Sequence, residues 1–286
     1  MALYMIGDIQ GCDRSLSQLL QHIGFSPSRD TLYALGDLVN RGPDSLATLE
    51  RLRELGSSAQ CLLGNHDLHL LAVGLVGAKQ KRNDTLQDVL QAAQCQSLLA
   101  WLRTRPLAIA EHGWLMVHAG VAPQWTAAQT VALAGQAENT IGHSDVAVCQ
   151  QFLQHMYGNT PNNWADAANA APIDQLRFIV NVLTRMRLCD SQGRMDFEHK
   201  SDASLAPPGL HAWFDVPARA TADTRVAFGH WSTLTPTQGV HTDTGRVLPL
   251  DGGCVWGGCL QAAEFTPHSN EVLIHRVACE QSQAPI

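Results

Sequence analysis

The chain has 286 residues, of which 45% are hydrophobic, so it can bury a full core as one large domain. Its net charge is −7 and its lysines and arginines are dispersed, which excludes a basic stripe for duplex nucleic acid. No apolar stretch approaches the ~18 residues of a membrane-spanning helix and the first residues lack a signal-peptide pattern, so we expect a cytoplasmic protein without a membrane partner.

The first part of the chain alternates short apolar runs with amphipathic segments. Apolar runs at 3–6, 32–35 and 61–63 predict strands. Leucines at helical spacing between these runs predict two helices, which end at Gly24 and Gly56. The order is βαβαβ, so we predict an α/β fold with parallel strands covered by helices.

The pattern becomes less regular after Gly64. We predict helices at 68–76 and 85–103, and then strands at 107–110 and 114–117. Later strands are predicted at 226–229, 247–250, 260–265 and 272–277. Residues 124–187 are mostly helical in pattern, and we expect them to form a helical cap insertion within a single domain that spans 1–286.

Three polar motifs follow the first three strands. They are Gly-Asp-Ile-Gln-Gly at 7–11, Gly-Asp-Leu-Val-Asn-Arg-Gly at 36–42 and Gly-Asn-His-Asp at 64–67. Asp8, Asp37 and Asn65 are 29 and 28 residues apart, about one strand-helix-strand repeat. Because parallel strands present their carboxyl ends at one edge of a sheet, we expect these three oxygen ligands to lie close together.

Two histidines occupy similar positions after later strands. His118 and His230 each follow an apolar run and are next to small residues, including a glycine that permits close approach of the backbone to a ligand. Either histidine alone is more typical of a structural or surface residue. Together with the carboxylates and the amide, they predict a site for two divalent metal ions.

These motifs resemble the signature of the metallophosphoesterases that are related to phosphoprotein phosphatases. Runs at 64–72, 157–164, 184–187, 228–231 and 254–258 extend the likeness, which is closest to the bacterial symmetrical bis(5'-nucleosyl)-tetraphosphatases. The resemblance implies a central β sandwich flanked by helices. It also implies hydrolysis of diadenosine tetraphosphate to two ADP by a water activated by two metal ions, and RNA capped with a dinucleoside tetraphosphate is a further candidate substrate.

The resemblance also implies the roles of the metal ligands. Asp8 and Gln10 would bind the first ion, and Asp37 would bridge both. The second ion would be completed by Asn65, His118 and His230. Mixed oxygen and imidazole ligands favour Mn²⁺ or Co²⁺ over a structural zinc, which prefers thiolates.

Two further residues have implied catalytic roles. His66 would be the general acid that protonates the leaving phosphate oxygen, and the alternative is a histidine that only shapes its loop. Arg41 has a planar fork that suits phosphate oxygens, and the alternative is a surface ion pair. We favour the catalytic role for both.

The nucleotide pocket is the least defined part of the prediction. Asn162, Asn163 and Trp164 follow a proline and do not resemble core sequence, so we predict that they bind one nucleotide end. Arg185 and Arg187 are candidate phosphate ligands, and of the two we favour Arg185. Since aromatic residues are more often part of a core, a purely structural Trp164 stays an alternative.

Two positions depart from the superfamily pattern. Position 10 is usually histidine and is glutamine here, so we expect weaker binding of the first ion. Position 40 is aspartate in the protein phosphatases and asparagine here. We expect the Asn40 amide to accept the ring N–H of His66 without adding a negative charge.

Two other functions remain open from the sequence. One is a phosphoprotein phosphatase with the same chemistry, against which Gln10, Asn40 and the long capping segment argue. The other is a nucleotide-binding regulator with weakened metal sites, which a turnover assay with added Mn²⁺ would distinguish.

The eight cysteines are scattered and contain no Cys-x-x-Cys pair. A chain of this length with this pattern is unlike a small secreted domain stapled by disulfides. We therefore predict reduced thiols.

Overall fold

The computed structural model describes residues 1–199, 203–234, 246–266 and 271–284. The strands are, in chain order, β1 (Leu3–Ile6), β2 (Thr31–Ala34), β3 (Ala59–Cys61), β4 (Ala108–Glu111), β5 (Trp114–Val117), β6 (Leu188–Cys189), β7 (Met195–Asp196), β8 (His211–Ala212), β9 (Arg225–Phe228), β10 (Val247–Pro249), β11 (Cys259–Phe265) and β12 (Val272–Ala278). The helices are α1 (Asp13–His22), α2 (Ser45–Glu54), α3 (Asn65–Val76), α4 (Gln87–Gln91), α5 (Cys95–Leu102), α6 (Ala127–Ile141), α7 (Val146–His155), α8 (Trp164–Ala167) and α9 (Pro172–Arg185).

Two larger sheets form the centre of the fold. The first has the strand order β12-β11-β1-β2-β3, and the second has the order β10-β9-β5-β4. Strands β1, β2 and β3 pair in parallel, which confirms the βαβαβ start, while β11 pairs antiparallel with β1. In the second sheet β5, β9 and β10 are parallel and β4 is antiparallel.

The two sheets pack face to face. Leu3, Met5 and Tyr33 from the first sheet share one buried cluster with Trp114 and Met116 from the second. Alternate residues of each strand point to opposite faces, so the other face of the first sheet is left for the helices. The predicted β sandwich flanked by helices is therefore confirmed.

The helices cover the outer faces. Residues such as Tyr4 and Ile6 of β1 belong to a second, larger cluster with Leu16 and Leu19 of α1. The predicted helix over 85–103 is instead two short helices, α4 and α5, because the chain between them is extended at Ala92. A small third sheet, β7-β6-β8, lies outside the predicted elements.

The segment 124–187 is helical, as the pattern predicts. It contains helices α6 to α9, and apolar residues of these helices join the larger core cluster. The description of this segment as a cap over the metal site stays a prediction.

The cysteine prediction is wrong for one pair. Cys254, after β10, and Cys279, after β12, are joined by a disulfide. Scattered spacing could not reveal this pair, because the two cysteines meet only when β12 folds back along β11. Cys12, Cys61 and the other cysteines are free thiols.

No helix within the described part of the chain is long and apolar enough to cross a membrane.

Candidate metal centre and active site

The predicted ligands follow strands of both sheets. Asp8, Asp37 and Asn65 come shortly after β1, β2 and β3, whereas His118 and His230 come directly or almost directly after β5 and β9. Because these strands are parallel within each sheet, their carboxyl ends converge on one edge of the sandwich. The structure therefore brings the side chains of two layers to one place.

The loops that carry these residues adopt unusual backbone conformations. Asp37 (φ 48°) and His230 (φ 64°) lie in the left-handed region, as do Gln10, Asn40 and Arg41. This conformation turns the chain sharply at the strand end.

Two glycines let the loops approach the acidic side chains. A Cβ atom at Gly64 would lie 2.2 Å from Asp37 Oδ1, and one at Gly229 would lie 2.2 Å from Asp8 Oδ1. Any other residue would push the carboxylates out of the site. The carboxylates instead accept hydrogen bonds from backbone amides that come shortly after these glycines. His66 N donates to Asp37 Oδ1 and His230 N donates to Asp8 Oδ1, both at 2.8 Å.

Asp37, His118 and His230 form a group that fits a metal ion. One ligand atom from each lies within 4.8 Å of the others. His118 Nδ1 donates to the Leu35 carbonyl at 2.8 Å, which leaves its Nε2 free to face Asp37 Oδ1 at 3.4 Å. Within the described residues the buried Nε2 atoms of His118 and His230 have no hydrogen-bond partner. Such buried orphan nitrogens are expected where a ligand or ion completes the site.

The Asn65 amide adjoins the same group. The hydrogen-bond pattern makes one of its terminal atoms the nitrogen, which donates to His230 Nδ1 at 3.0 Å and to the Thr184 carbonyl oxygen at 2.9 Å. The amide oxygen accepts from the His66 backbone amide at 3.2 Å. Asn65 therefore lies beside the histidine cluster, and its role as a ligand of the second ion stays a prediction.

The charges around the centre are strongly coupled. Burial raises the pKa of Asp8, and the neighbouring Asp251 carboxylate raises it further. Burial also acts to raise the pKa of Asp37, but at the low pH where this carboxyl titrates the positive charges of His118 and His66 outweigh burial, so its pKa lies well below its usual range. For His118, burial acts to lower the pKa, and Asp37 and Asp8 outweigh it and raise the pKa to about 10. Divalent cations would replace these protons as the partners of the carboxylates.

His66 lies beside this centre in a fixed orientation. The Asn40 Oδ1 atom accepts hydrogen bonds from the backbone amides of Arg41 (2.8 Å) and Thr85 (3.0 Å), so its Nδ2 must be the atom that faces His66 Nδ1 at 3.0 Å. The amide donates to the ring, and the expectation that Asn40 accepts the ring N–H is wrong. The proton of the neutral ring is therefore on Nε2, which points toward Asp37 Oδ2 at 3.9 Å.

Burial lowers the pKa of His66 to about 4; the charge of Asp37 acts in the opposite direction, and Arg41 lowers the pKa further. The ring is therefore neutral at neutral pH. Its Nε2–H is the group that faces the centre.

A chain of hydrogen bonds continues from Asn40 into the protein. Asn40 Nδ2 also donates to Asp84 Oδ1 at 3.0 Å, and Asp84 Oδ2 lies 2.8 Å from His69 Nε2. His69 Nδ1 in turn lies 2.5 Å from the hydroxyl of Tyr157. The side chains of Asp84 and His69 are 1% and 7% exposed, so this chain is shielded from water.

Asn40→Asp is expected to destabilise the fold by on the order of 2–4 kcal/mol at neutral pH, because it would place two buried carboxylates in contact at Asp84. The two carboxylates would have raised pKa values in the folded state, so the loss should shrink as pH falls and a shared proton replaces the amide. Urea unfolding at about pH 7.5 and about pH 5 measures this difference.

The matched control for Asn40→Asp is the double variant Asn40→Asp with Asp84→Asn, which restores one donor and one carboxylate. It should recover most of the lost stability. A single variant as stable as the parent at both pH values would contradict the hydrogen-bond assignment.

The predicted phosphate ligands have different environments. Arg41 is half-buried at the site, and the only hydrogen bond of its side chain among the described residues is a long one, 3.5 Å from Nη1 to the Asn83 carbonyl. Arg187 Nη2 donates to the His230 carbonyl at 2.9 Å, and its buried Nε has no partner among the described residues. Arg185 is bound to Asn159 and Asn181 and stacks over a phenylalanine ring. Arg41 and Arg187 are therefore more available to an anion than Arg185.

The predicted base-binding residues have structural contacts. Asn163 caps α8 through the amide of Asp166 at 3.0 Å, and the Asn162 amide bonds to the β7 segment. The Trp164 ring packs edge-on against Trp125, with centroids 5.3 Å apart. These contacts give no support to the base-binding role expected from the sequence. A polar pair followed by Trp is here a helix cap and a core anchor.

Two buried acids near the site were not predicted. Asp251, after β10, is 6% exposed, and burial raises its pKa to about 6. Asp67 accepts hydrogen bonds from the amides of Leu38 (2.9 Å) and Gly64 (2.7 Å), so it ties the second loop to the third. Asp251 follows a strand, as Asp8 does, so the pattern of a polar residue after an apolar run could have identified it. The hydrogen bond that the Leu38 amide donates to Asp67 has no such pattern, because it joins two distant loops.

The sandwich and its cluster of carboxylates and histidines at one edge define a class of protein. The chain belongs to the calcineurin-like phosphoesterases, since the model of that family matches residues 1–200.

The chain is also similar over its full length to individual members with a more specific name. It is 54% identical to the symmetrical bis(5'-nucleosyl)-tetraphosphatase of Acidovorax ebreus, with coverage of all of this chain and 99% of the relative. It is 50% identical to the protein of the same name from Paracidovorax citrulli, with full coverage of both. The family resemblance inferred from the motifs is thereby confirmed.

Solved structures share the fold. A candidate diadenosine tetraphosphatase superimposes with a TM-score of 0.55 at 23% identity, covering 98% of this chain and 94% of that chain. A serine/threonine phosphatase from Saccharomyces cerevisiae gives a TM-score of 0.56 at 12% identity, covering 98% and 81%. At these identities the likeness supports the fold alone.

Proposed function

We propose that this chain hydrolyses dinucleoside tetraphosphates symmetrically, and that it converts diadenosine tetraphosphate to two ADP. The observation that carries the proposal is the cluster of Asp37, His118 and His230, in which two buried imidazole nitrogens have no hydrogen-bond partner among the described residues. The full-length relatives of the chain are named symmetrical bis(5'-nucleosyl)-tetraphosphatases. The cluster supports metal-dependent phosphoester chemistry, and the relatives supply the substrate. RNA capped with a dinucleoside tetraphosphate stays a further candidate substrate of the same site.

The proposed cofactor is a pair of divalent ions, and the group of Asp37, His118 and His230 supports a position for one of them. Asp8 and Gln10 would hold the first ion, Asp37 would bridge, and Asn65, His118 and His230 would hold the second. Imidazole and oxygen ligands without thiolates favour Mn²⁺ or Co²⁺. When bound, such ions supply Lewis-acid stabilisation and a water of lowered pKa.

The remaining roles belong to the side chains around the ligands. Arg41 and Arg187 would bind phosphate oxygens and offset part of the charge of the substrate, on a protein that is itself net negative. His66, predicted as the general acid, would donate a hydrogen bond from Nε2–H to the bridging oxygen that leaves as phosphorus gains a bond to water oxygen. The neutral ring would keep this proton, because its transfer would leave an imidazolate. Asn40 would hold Nδ1 as an acceptor, which keeps that proton on the side facing the centre.

We also propose the wider organisation that the sequence predicts. Residues 1–286 would form one domain in which 124–187 caps the site, and the protein would act in the cytoplasm. Within this segment Arg185 holds the loop at Gly158 and Asn159 to the end of α9.

The products of diadenosine tetraphosphate are expected to be ADP alone. Two arginines beside the ligands favour a polyphosphate centred on the site, so water should attack one of the two middle phosphorus atoms. Chromatography of the initial products with added Mn²⁺ or Co²⁺ tests this outcome. Equimolar ATP and AMP would overturn the symmetrical assignment, and absence of turnover would favour the regulator.

A further inference from the structure

A cavity of about 470 Å³ lies between α3, the turn that follows it and the end of α7. Its apolar wall is made by Val76, Ala78 and Leu153, and its polar lining includes Lys79 and Lys81. The volume is in the range of small-molecule sites. None of the residues that line it carries a carboxylate.

The cavity begins next to the active site. His69, which lines it, is one helical turn after His66 in α3, and the chain through Asp84 and Asn40 connects the two rings. Val76 lies roughly 15 Å from His66 along the same helix, at 1.5 Å per residue. The cavity therefore starts near His66 and extends along α3, away from the metal-ligand cluster. One arm of an extended substrate bound at the cluster would follow this direction.

The lining suits a nucleotide end. The Tyr157 side chain is 48% exposed, and its hydroxyl is held by His69 Nδ1, so the ring is fixed at the cavity with a free surface. A fixed, exposed aromatic ring next to an apolar wall can stack on a base. Lys79 and Lys81 are exposed cations on the same side, where they can meet phosphate oxygens.

We propose that this cavity is the subsite for one nucleoside end of the substrate, with Tyr157 stacking on the base and Lys79 and Lys81 contacting the phosphates that lead to the scissile bond. The proposal rests on the proposed function. It places the nucleoside against α3 and α7, apart from the predicted residues 162–164.

Equilibrium binding of ADP and of pyrophosphate, which lacks the nucleoside, tests the subsite without relying on turnover. Tyr157→Ala should weaken ADP binding about tenfold and leave pyrophosphate binding unchanged. Tyr157→Phe loses the same hydroxyl but keeps the ring and its edge contact with His69, so its loss of ADP affinity should be much smaller than that of Tyr157→Ala. Lys79→Ala with Lys81→Ala should weaken both probes, whereas Arg82→Ala, an adjacent cation outside the cavity, should weaken neither.

Unchanged ADP binding in Tyr157→Ala, or an equal loss for both probes, would overturn the subsite. That result differs from failure of the proposed function, which would appear as an absence of ADP production by the parent protein. The variants change exposed or half-buried side chains, and circular dichroism of each confirms that the fold is intact.

Discussion

Asp37→Asn is expected to remove turnover by roughly 10³-fold or more and to lower the bound metal at both positions. Asp37 is 1% exposed, and its carboxylate meets His118 Nε2 at 3.4 Å and the His66 amide at 2.8 Å. Asparagine has nearly the same shape, so the packing at Gly64 is kept and the charge that would bridge two cations is lost. Steady-state kinetics and metal analysis after gel filtration measure both effects.

Two variants make this result interpretable. Gln10→Ala should weaken only the first ion, so it should retain about one equivalent of tightly bound metal. Asp44→Asn changes an exposed aspartate seven residues after Asp37. Its side chain makes no cap hydrogen bond to α2, so this variant should keep activity and metal. Full metal content in Asp37→Asn would contradict the bridging role.

His66→Asn is expected to reduce kcat by about 10²–10⁴-fold while the metal content stays intact. The side chain holds a proton on Nε2 toward the centre, and in the proposed mechanism its loss removes the hydrogen-bond donor to the leaving oxygen. The hydrogen bond that supports Asp37 comes from the backbone amide of residue 66, so the substitution keeps that contact.

Kinetics with two leaving groups test the role of His66. A substrate whose leaving group needs no proton, such as an aryl phosphodiester with a nitrophenolate, should lose much less rate in His66→Asn than diadenosine tetraphosphate. His22→Asn, at the exposed end of α1, is the control for a histidine change. Loss of metal in His66→Asn would make residue 66 a ligand instead of an acid.

The sequence predicts the sandwich and its parallel start well because the strands are short, buried and regularly spaced. The ligands follow from the same regularity: Asp8, Asp37 and Asn65 come after consecutive strands that pair in register. The structure brings His118 and His230 to the same edge, with ring centroids 5.1 Å apart, although the chain separates them by 112 residues.

The features that the sequence does not predict depend on contacts between distant loops. The direction of the hydrogen bond from Asn40 to His66 is fixed by the Thr85 backbone amide, which donates to Asn40 Oδ1. No periodic pattern in the sequence indicates this contact between residues 45 positions apart. The position of Trp164 against the core is decided by packing on Trp125, just before α6, and on Phe178 of α9. The capping role of Asn163 depends on where α8 begins. The disulfide between Cys254 and Cys279 likewise forms because β12 pairs with β11 in a register that brings the two cysteines together.

The left-handed backbone at the site has a consequence for the whole protein. Among described residues other than glycine, seven have positive φ, and five of these are in the site loops: Gln10, Asp37, Asn40, Arg41 and His230. Each costs on the order of 1 kcal/mol, so together they approach about 5 kcal/mol, against a net stability of about 5–15 kcal/mol for a folded domain. Glycine at these positions would relieve the strain and remove the functional side chains, so activity and thermal stability are in direct opposition at this edge of the sandwich.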